Sequence, residues 1–172
     1  TDNGTLNTTN SVDLVYNLQT EVAQTIGNVG VTHLFTGKQL DGSTVGIAFV
    51  DAICSPYGVG LSQNYGSQTA LIVAHEIGHN FGAPHDAQGD SACFSTKSTF
   101  LMSPFINGSD QFSACSLGQI EQSIAYANNW SGNTCVVDII QPGPTPPLFT
   151  STAGIEATVG QSYQYDSDSI VE

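Results

Sequence analysis

His75-Glu76-Ile77-Gly78-His79-Asn80-Phe81-Gly82-Ala83-Pro84-His85-Asp86 is the stretch on which the reading of this chain turns. It has the form H-E-x-x-H-x-x-G-x-x-H-D. On an α-helix, residues four apart share a face one turn above each other, so His75 and His79 can aim two imidazoles at one point. Glu76 lies about 100° further round the helix, beside that point, where its carboxylate can hold a water rather than a metal ion. Gly82 falls where the helix must stop, and glycine accepts the positive φ of a sharp exit. The chain can then fold back and present His85 as a third ligand. Three neutral imidazoles around Zn²⁺ leave a fourth position open, the arrangement of a catalytic rather than a structural site.

Working outward, the helix that carries the motif is expected to begin near Ser67 or Gln68, with Ala70, Val73, Ala74, Ile77 and Phe81 as its core-facing stripe. An earlier helix is expected over Ser11–Ile26, from Val15, Leu18, Val22 and Ile26 at helical spacing, with Asn10 or Ser11 as N-cap and Gly27 as stop. Val31–Thr36 and Thr44–Val50 read as strands, with Gly37 and Asp41-Gly42 marking a turn between them. Gly58–Asn64 reads as a short strand or loop. Ser116–Asn129 reads as the last helix, opened by a Ser116-Leu117-Gly118-Gln119 capping box and buried through Leu117, Ile120, Ile124 and Ala127. His33 stands outside the motif and reads as structural.

Composition sets limits on function. A chain of 172 residues is long enough for one domain and a tail, and 40 % apolar content suffices for a core. Net charge is −13, from fifteen acids against Lys38 and Lys97 alone. Nucleic acid is excluded as a partner because phosphate binding needs a basic face. No apolar run is long enough to span a membrane. The chain opens at Thr1 without a signal peptide, as expected of a mature or trimmed form. Fifteen acids could supply carboxylates for calcium, but no EF-hand loop is present. Four cysteines, Cys54, Cys93, Cys115 and Cys135, fit two disulfides in an exported protein, and four cysteines allow three pairings. Residues 141–147 hold four prolines and read as a stiff linker. Residues 148–172 alternate apolar and polar positions.

At the H-E-x-x-H-x-x-G-x-x-H pattern the chain resembles the metzincin zinc peptidases, and Asp86 resembles the adamalysin (reprolysin) branch that includes ADAM-type and snake-venom enzymes. The resemblance spans roughly residues 11–137. It implies an α/β (α+β) fold of the metzincin type, a mixed sheet with an antiparallel edge strand, an active-site helix and a C-terminal helix. It places residues 1–140 in the catalytic domain. His33-Leu34-Phe35-Thr36-Gly37 and Gly46-Ile47-Ala48-Phe49-Val50 look like two of the family's strands. The second, with Gly46, Ile47, Ala48 and Phe49, corresponds to the edge strand on which an extended substrate pairs. Met102, in Phe100-Leu101-Met102-Ser103-Pro104, corresponds to the methionine turn beneath the ligands. Asp86 and Gly82 are implied as structural support for that turn and for the chain reversal. The resemblance also implies the pairings Cys54–Cys135 and Cys93–Cys115. No tyrosine closely follows Met102, so no tyrosine oxyanion helper is expected. Adamalysin-like domains carry a further strand, helix and strand before Ser11. Their absence here points to a fragment of a longer precursor, to an N-terminal segment or propeptide on another piece, or to a reduced domain. The 148–172 tail weakly resembles the opening of a bacterial immunoglobulin- or cadherin-like β module.

The function these residues imply is a secreted zinc-dependent endopeptidase acting on protein or peptide substrates, with water activated at the zinc and Glu76 as general base. A binding or adhesion module on an inactive metzincin scaffold is the alternative, although such modules usually lose the glutamate or a ligand and none is lost here. A zinc hydrolase of non-peptide substrates shares the H-E-x-x-H step but leaves Gly82, His85 and Met102 together unexplained.

Overall fold

The computed structural model describes residues 4–27, 30–131 and 135–136, all within the unit Thr1–Val137. The expected linker over 141–147 and β module over 148–172 lie outside the described residues. In chain order the elements are α1 (Ser11–Thr25), β1 (Thr32–Thr36), β2 (Gly46–Ala48), β3 (Val59–Gln63), α2 (Thr69–Asn80) and α3 (Ala114–Ser131), with short 3-10 turns at Gly4–Leu6 and Gly66–Gln68. This is a mixed α+β architecture. No helix among the described residues is long and apolar enough to cross a membrane.

The sheet runs β1–β3–β2. β3 pairs parallel with β1 and antiparallel with β2. All five residues of β3 are buried, as a central strand covered on both faces requires. Pleating divides its side chains between two layers. Val59 and Leu61 pack with Leu34 and Ile47 against Leu14, Val15, Leu18 and Val22 of α1. Gly60 turns the other way, toward Asn80 of α2, as Gly46 does toward Glu76. Helices α1 and α2 therefore cover opposite faces. β2 is shorter than the expected 44–50 strand, although bonds from Gln63 N to Val45 O (2.9 Å) and from Phe49 N to Val59 O (3.4 Å) prolong the pairing beyond it. Among the described residues, β1 and β2 each have one paired side and one open side.

α1 starts where Asn10 Oδ1 accepts from the amides of Val12 and Asp13, both at 3.0 Å. It ends before Ile26, which is 57 % exposed rather than part of the buried stripe, because Gly27 at φ +78° already turns the chain away. α3 starts earlier than the Ser116 box predicts. The Ser113 hydroxyl caps it by accepting from Ser116 N at 3.0 Å, and Leu117 faces solvent. Small residues, Ser116, Ser123 and Ala127, form its buried side, so α3 packs by close approach rather than by bulk.

The core-facing stripe predicted for α2 is also revised. Ala70 is exposed and Val73, Ala74 and Ile77 are only partly covered, whereas Ile72, Glu76, Gly78, His79 and Asn80 are buried. The motif-bearing side of α2 is wedged between the sheet and the chain around Met102, so its polar residues are the enclosed ones. The helix end is sealed by residues 51–53. Asp51 N donates to His79 O, and the amides of Ala52 and Ile53 donate to Asn80 O, at 2.9–3.1 Å, satisfying carbonyls that a helix terminus leaves orphaned. Two disulfides, Cys54–Cys135 and Cys93–Cys115, tie α3 and the chain after it to these loops. Their sequence separations of 81 and 22 residues correspond to about 4.5 and about 3 kcal/mol of loop-closure entropy.

Replacing Asn10 by alanine removes the acceptor for two amides and is expected to lower stability by about 1 kcal/mol, read from denaturant unfolding midpoints.

Candidate metal centre

The four-residue repeat on α2 and the turn after it bring His75, His79 and His85 together, with one ligand nitrogen of each lying within 4.8 Å of the others. The Nε2 atoms of His75 and His79 each stand 3.1 Å from Nε2 of His85. Gly82 makes this possible. At φ +89° it reverses the chain, Gly82 N and Ala83 N bond back to the carbonyls of His79 and Gly78, and His85 returns over the helix.

The protons on these rings are fixed by their other nitrogens. His75 Nδ1 donates to Leu101 O and His79 Nδ1 to Ala83 O, both at 2.8 Å, while His85 Nδ1 faces Gln88 Oε1. A carbonyl oxygen can only accept, so Nδ1 of His75 and His79 carries the proton and their Nε2 atoms present bare lone pairs; with the Gln88 amide oxygen turned to its ring, His85 takes the same tautomer. Burial also favours neutral rings. It pushes His75 down from its ordinary value and His79 down to about 3, with the neighbouring imidazoles adding to the shift of both. Three lone pairs within 4.8 Å of one another, two of the three separations being 3.1 Å, repel one another with no proton between them. They fit a cation at their centre, since nitrogens about 2.0–2.1 Å from a tetrahedral zinc lie about 3.3–3.4 Å apart. Among the described residues, no other group of three or more His, Cys, Asp or Glu converges in this way.

Glu76 is buried beside the triad, and burial raises its carboxyl to about 8. Its carboxylate lies against the backbone of β2. A Cβ at Gly46 would come within 2.6 Å of Oε1, so the strand can pass this close only as glycine. Met102 is fully buried, and the turn that carries it bonds to the triad and its flank through backbone groups. Leu101 O accepts from His75 Nδ1, and Met102 O accepts from Asp86 N at 2.8 Å. The Asp86 carboxylate, wholly buried, accepts from the hydroxyls of Ser113 (2.9 Å) and Ser116 (3.4 Å) at the start of α3. Gly78 gives the turn its room, since a Cβ there would meet Met102 Sδ and a Phe112 ring carbon, each at 2.8 Å. His33 stays apart, its Nε2 2.9 Å from Ser62 Oγ inside the sheet.

Two concavities flank the triad and share Gly46, Glu76 and His85 in their walls. One, of about 300 Å³, is walled by apolar residues including Val45, Leu71, Ile72, Leu101, Phe105 and Ile106. The other runs along Ile47, Ala48 and Val50 past Pro84 and Gln88. The sequence pattern singles out the three histidines but not the acceptors behind them, Leu101 O, Ala83 O and Gln88. Nor does it name Gly46 and Gly78 as sites of close contact. A glycine inside an otherwise helical pattern is the signal that marks Gly78. The two backbone acceptors leave no trace in residue identity.

Residues 2–126 match the metallo-peptidase family M12B, reprolysin-like. Over 101 residues the chain is 37 % identical to the snake venom metalloproteinase TM-1 of Protobothrops mucrosquamatus, an alignment covering 55 % of this chain and 48 % of that protein. The chain thus spans about half the length of this curated relative.

Alanine in place of glycine within a helix ordinarily gains about 1 kcal/mol. At Gly78 the expected sign is reversed. Gly78→Ala overpacks Met102 and Phe112 and should cost about 1–3 kcal/mol, measured by denaturant unfolding.

Proposed function

The chain belongs to the reprolysin-like metallopeptidase family M12B, and from that premise we propose that it is a secreted zinc-dependent endopeptidase. In this reading His75, His79 and His85 are the zinc ligands and Glu76 is the general base. The observation that carries it is the convergence of three unprotonated Nε2 atoms beside the buried Glu76 carboxylate, at the junction of two concavities. Bound zinc supplies Lewis acidity, which makes water more acidic and polarises a peptide carbonyl. Glu76 takes the proton of the attacking water and delivers it to the leaving amine. Its seat against Gly46 holds the carboxyl at the cleft, and the charge of a bound zinc would offset the burial that raises this group to about 8, leaving it ionised to act as base.

An extended peptide can lie along the open side of β2 and pair its backbone with the strand around Gly46, Ile47, Ala48 and Phe49. Side-chain selection then falls to the concavity bounded by Leu71, Ile72 and Leu101, whose walls favour an apolar residue next to the scissile bond. Asp86 supports the methionine turn through its amide, and α3 through its carboxylate. Two disulfides agree with an oxidising, extracellular location, as does similarity to a venom protein.

The test is cleavage of a quenched peptide or casein by the full chain, with and without a chelator. Native protein should cleave and lose activity on chelation. Glu76→Gln should retain zinc and lose at least about 100-fold in hydrolysis. Full activity in Glu76→Gln would assign the base elsewhere. Zinc uptake by the native chain without any cleavage would favour a binding module on this scaffold.

A further inference from the structure

We infer that Gln88 is the positioning residue for His85, the third imidazole of the triad; the inference rests on the metal-site reading above. The three rings are not held alike. His75 and His79 donate to backbone carbonyls, Leu101 O and Ala83 O, whose places are set by the fold. His85 lies beyond the helix, on the returning chain, and its Nδ1 meets a side chain, the amide oxygen of Gln88.

The two residues between His85 and Gln88 are fixed in a way that produces this contact. Asp86 is pinned by its amide to Met102 O and by its carboxylate to Ser113. Ala87 sits at φ +59°, a left-handed conformation that costs free energy for a residue with a Cβ and persists only where the surroundings impose it. Its amide bonds to Cys93 O at 3.2 Å, and Cys93 is bonded to Cys115 in α3. The chain is thereby reversed within three residues, and the Gln88 amide is carried back to the His85 ring. With Nδ1 protonated against Gln88, the Nε2 lone pair of His85 is held toward those of His75 and His79. Gln88 also lines the concavity along Ile47 and Ala48, so a peptide seated there touches the residue that holds the third ligand.

The experiment uses the full chain and its Gln88→Leu, Gln88→Ala and Gln88→Glu variants. Zinc affinity is read by chelator competition, and the His85 Nδ1 proton by NMR of the zinc-loaded protein. Leu and Ala should weaken zinc about 10–100-fold, the usual effect of removing a ligand's hydrogen-bond partner, and should shift the His85 Nδ1 resonance away from its hydrogen-bonded position. Gln88→Glu, which keeps an acceptor, should bind at least as tightly as native. Native affinity in the Leu and Ala variants would overturn the inference, as would a loss that Gln88→Glu fails to recover. A native chain that takes up no zinc would overturn this inference and the peptidase reading together. A native chain that binds zinc but cleaves nothing, with the Gln88 series behaving as expected, would overturn the peptidase reading alone and uphold this one.

Discussion

Each imidazole of the triad commits its Nδ1 proton to an oxygen on the far side of the ring, and the rest of the architecture serves to put those oxygens in place. Leu101 O comes from a turn twenty-six residues after its histidine, Ala83 O from the chain leaving α2, and Gln88 from the loop beyond. The consequence is electronic as well as geometric. The proton cannot be on both nitrogens of a neutral ring, so fixing it outside leaves three lone pairs inside. The convergent Nε2 atoms are stable neighbours only around positive charge.

Close approach is the second constraint. α2 lies on the sheet face where β3 shows Gly60 and β2 shows Gly46, and its own Gly78 meets Met102. Missing side chains at these points bring three layers within reach of Glu76 and the triad. The same compression buries Glu76, His79 and Asn80 together. Asn80 Nδ2 donates to both Phe49 O and Val59 O at 3.0 Å and so ties the helix to the sheet.

What could be read from the residues was whatever depends on local geometry. Four-residue spacing on a helix, a glycine exit and an apolar α1 stripe are properties of short segments, and the triad and α1 follow from them. The misplaced features depend on what packs against what. The rule that apolar faces are buried predicts the apolar stripe of α2 in the core, but the helix turns its polar motif inward because the sheet and the turn around Met102 close on that side. The α3 cap moved from Ser116 to Ser113 because Asp86, distant in sequence, engages both hydroxyls. Ile26 and Leu117 continue apolar patterns past the point where a neighbouring element covers them.

The triad and two of its three acceptors fall within the short run from His75 to Gln88, whereas the seat of Glu76 against Gly46 joins segments thirty residues apart. Closing short loops costs little entropy, and contacts close in sequence form faster than distant ones. A chain with α2 and its turn in place but β2 not yet docked would already gather the three imidazoles while its carboxylate remained unseated. Convergence of the imidazoles and seating of the carboxyl are therefore separable in time. On the proposed reading, a newly made chain would assemble its metal-binding imidazoles before the carboxyl that activates water is seated.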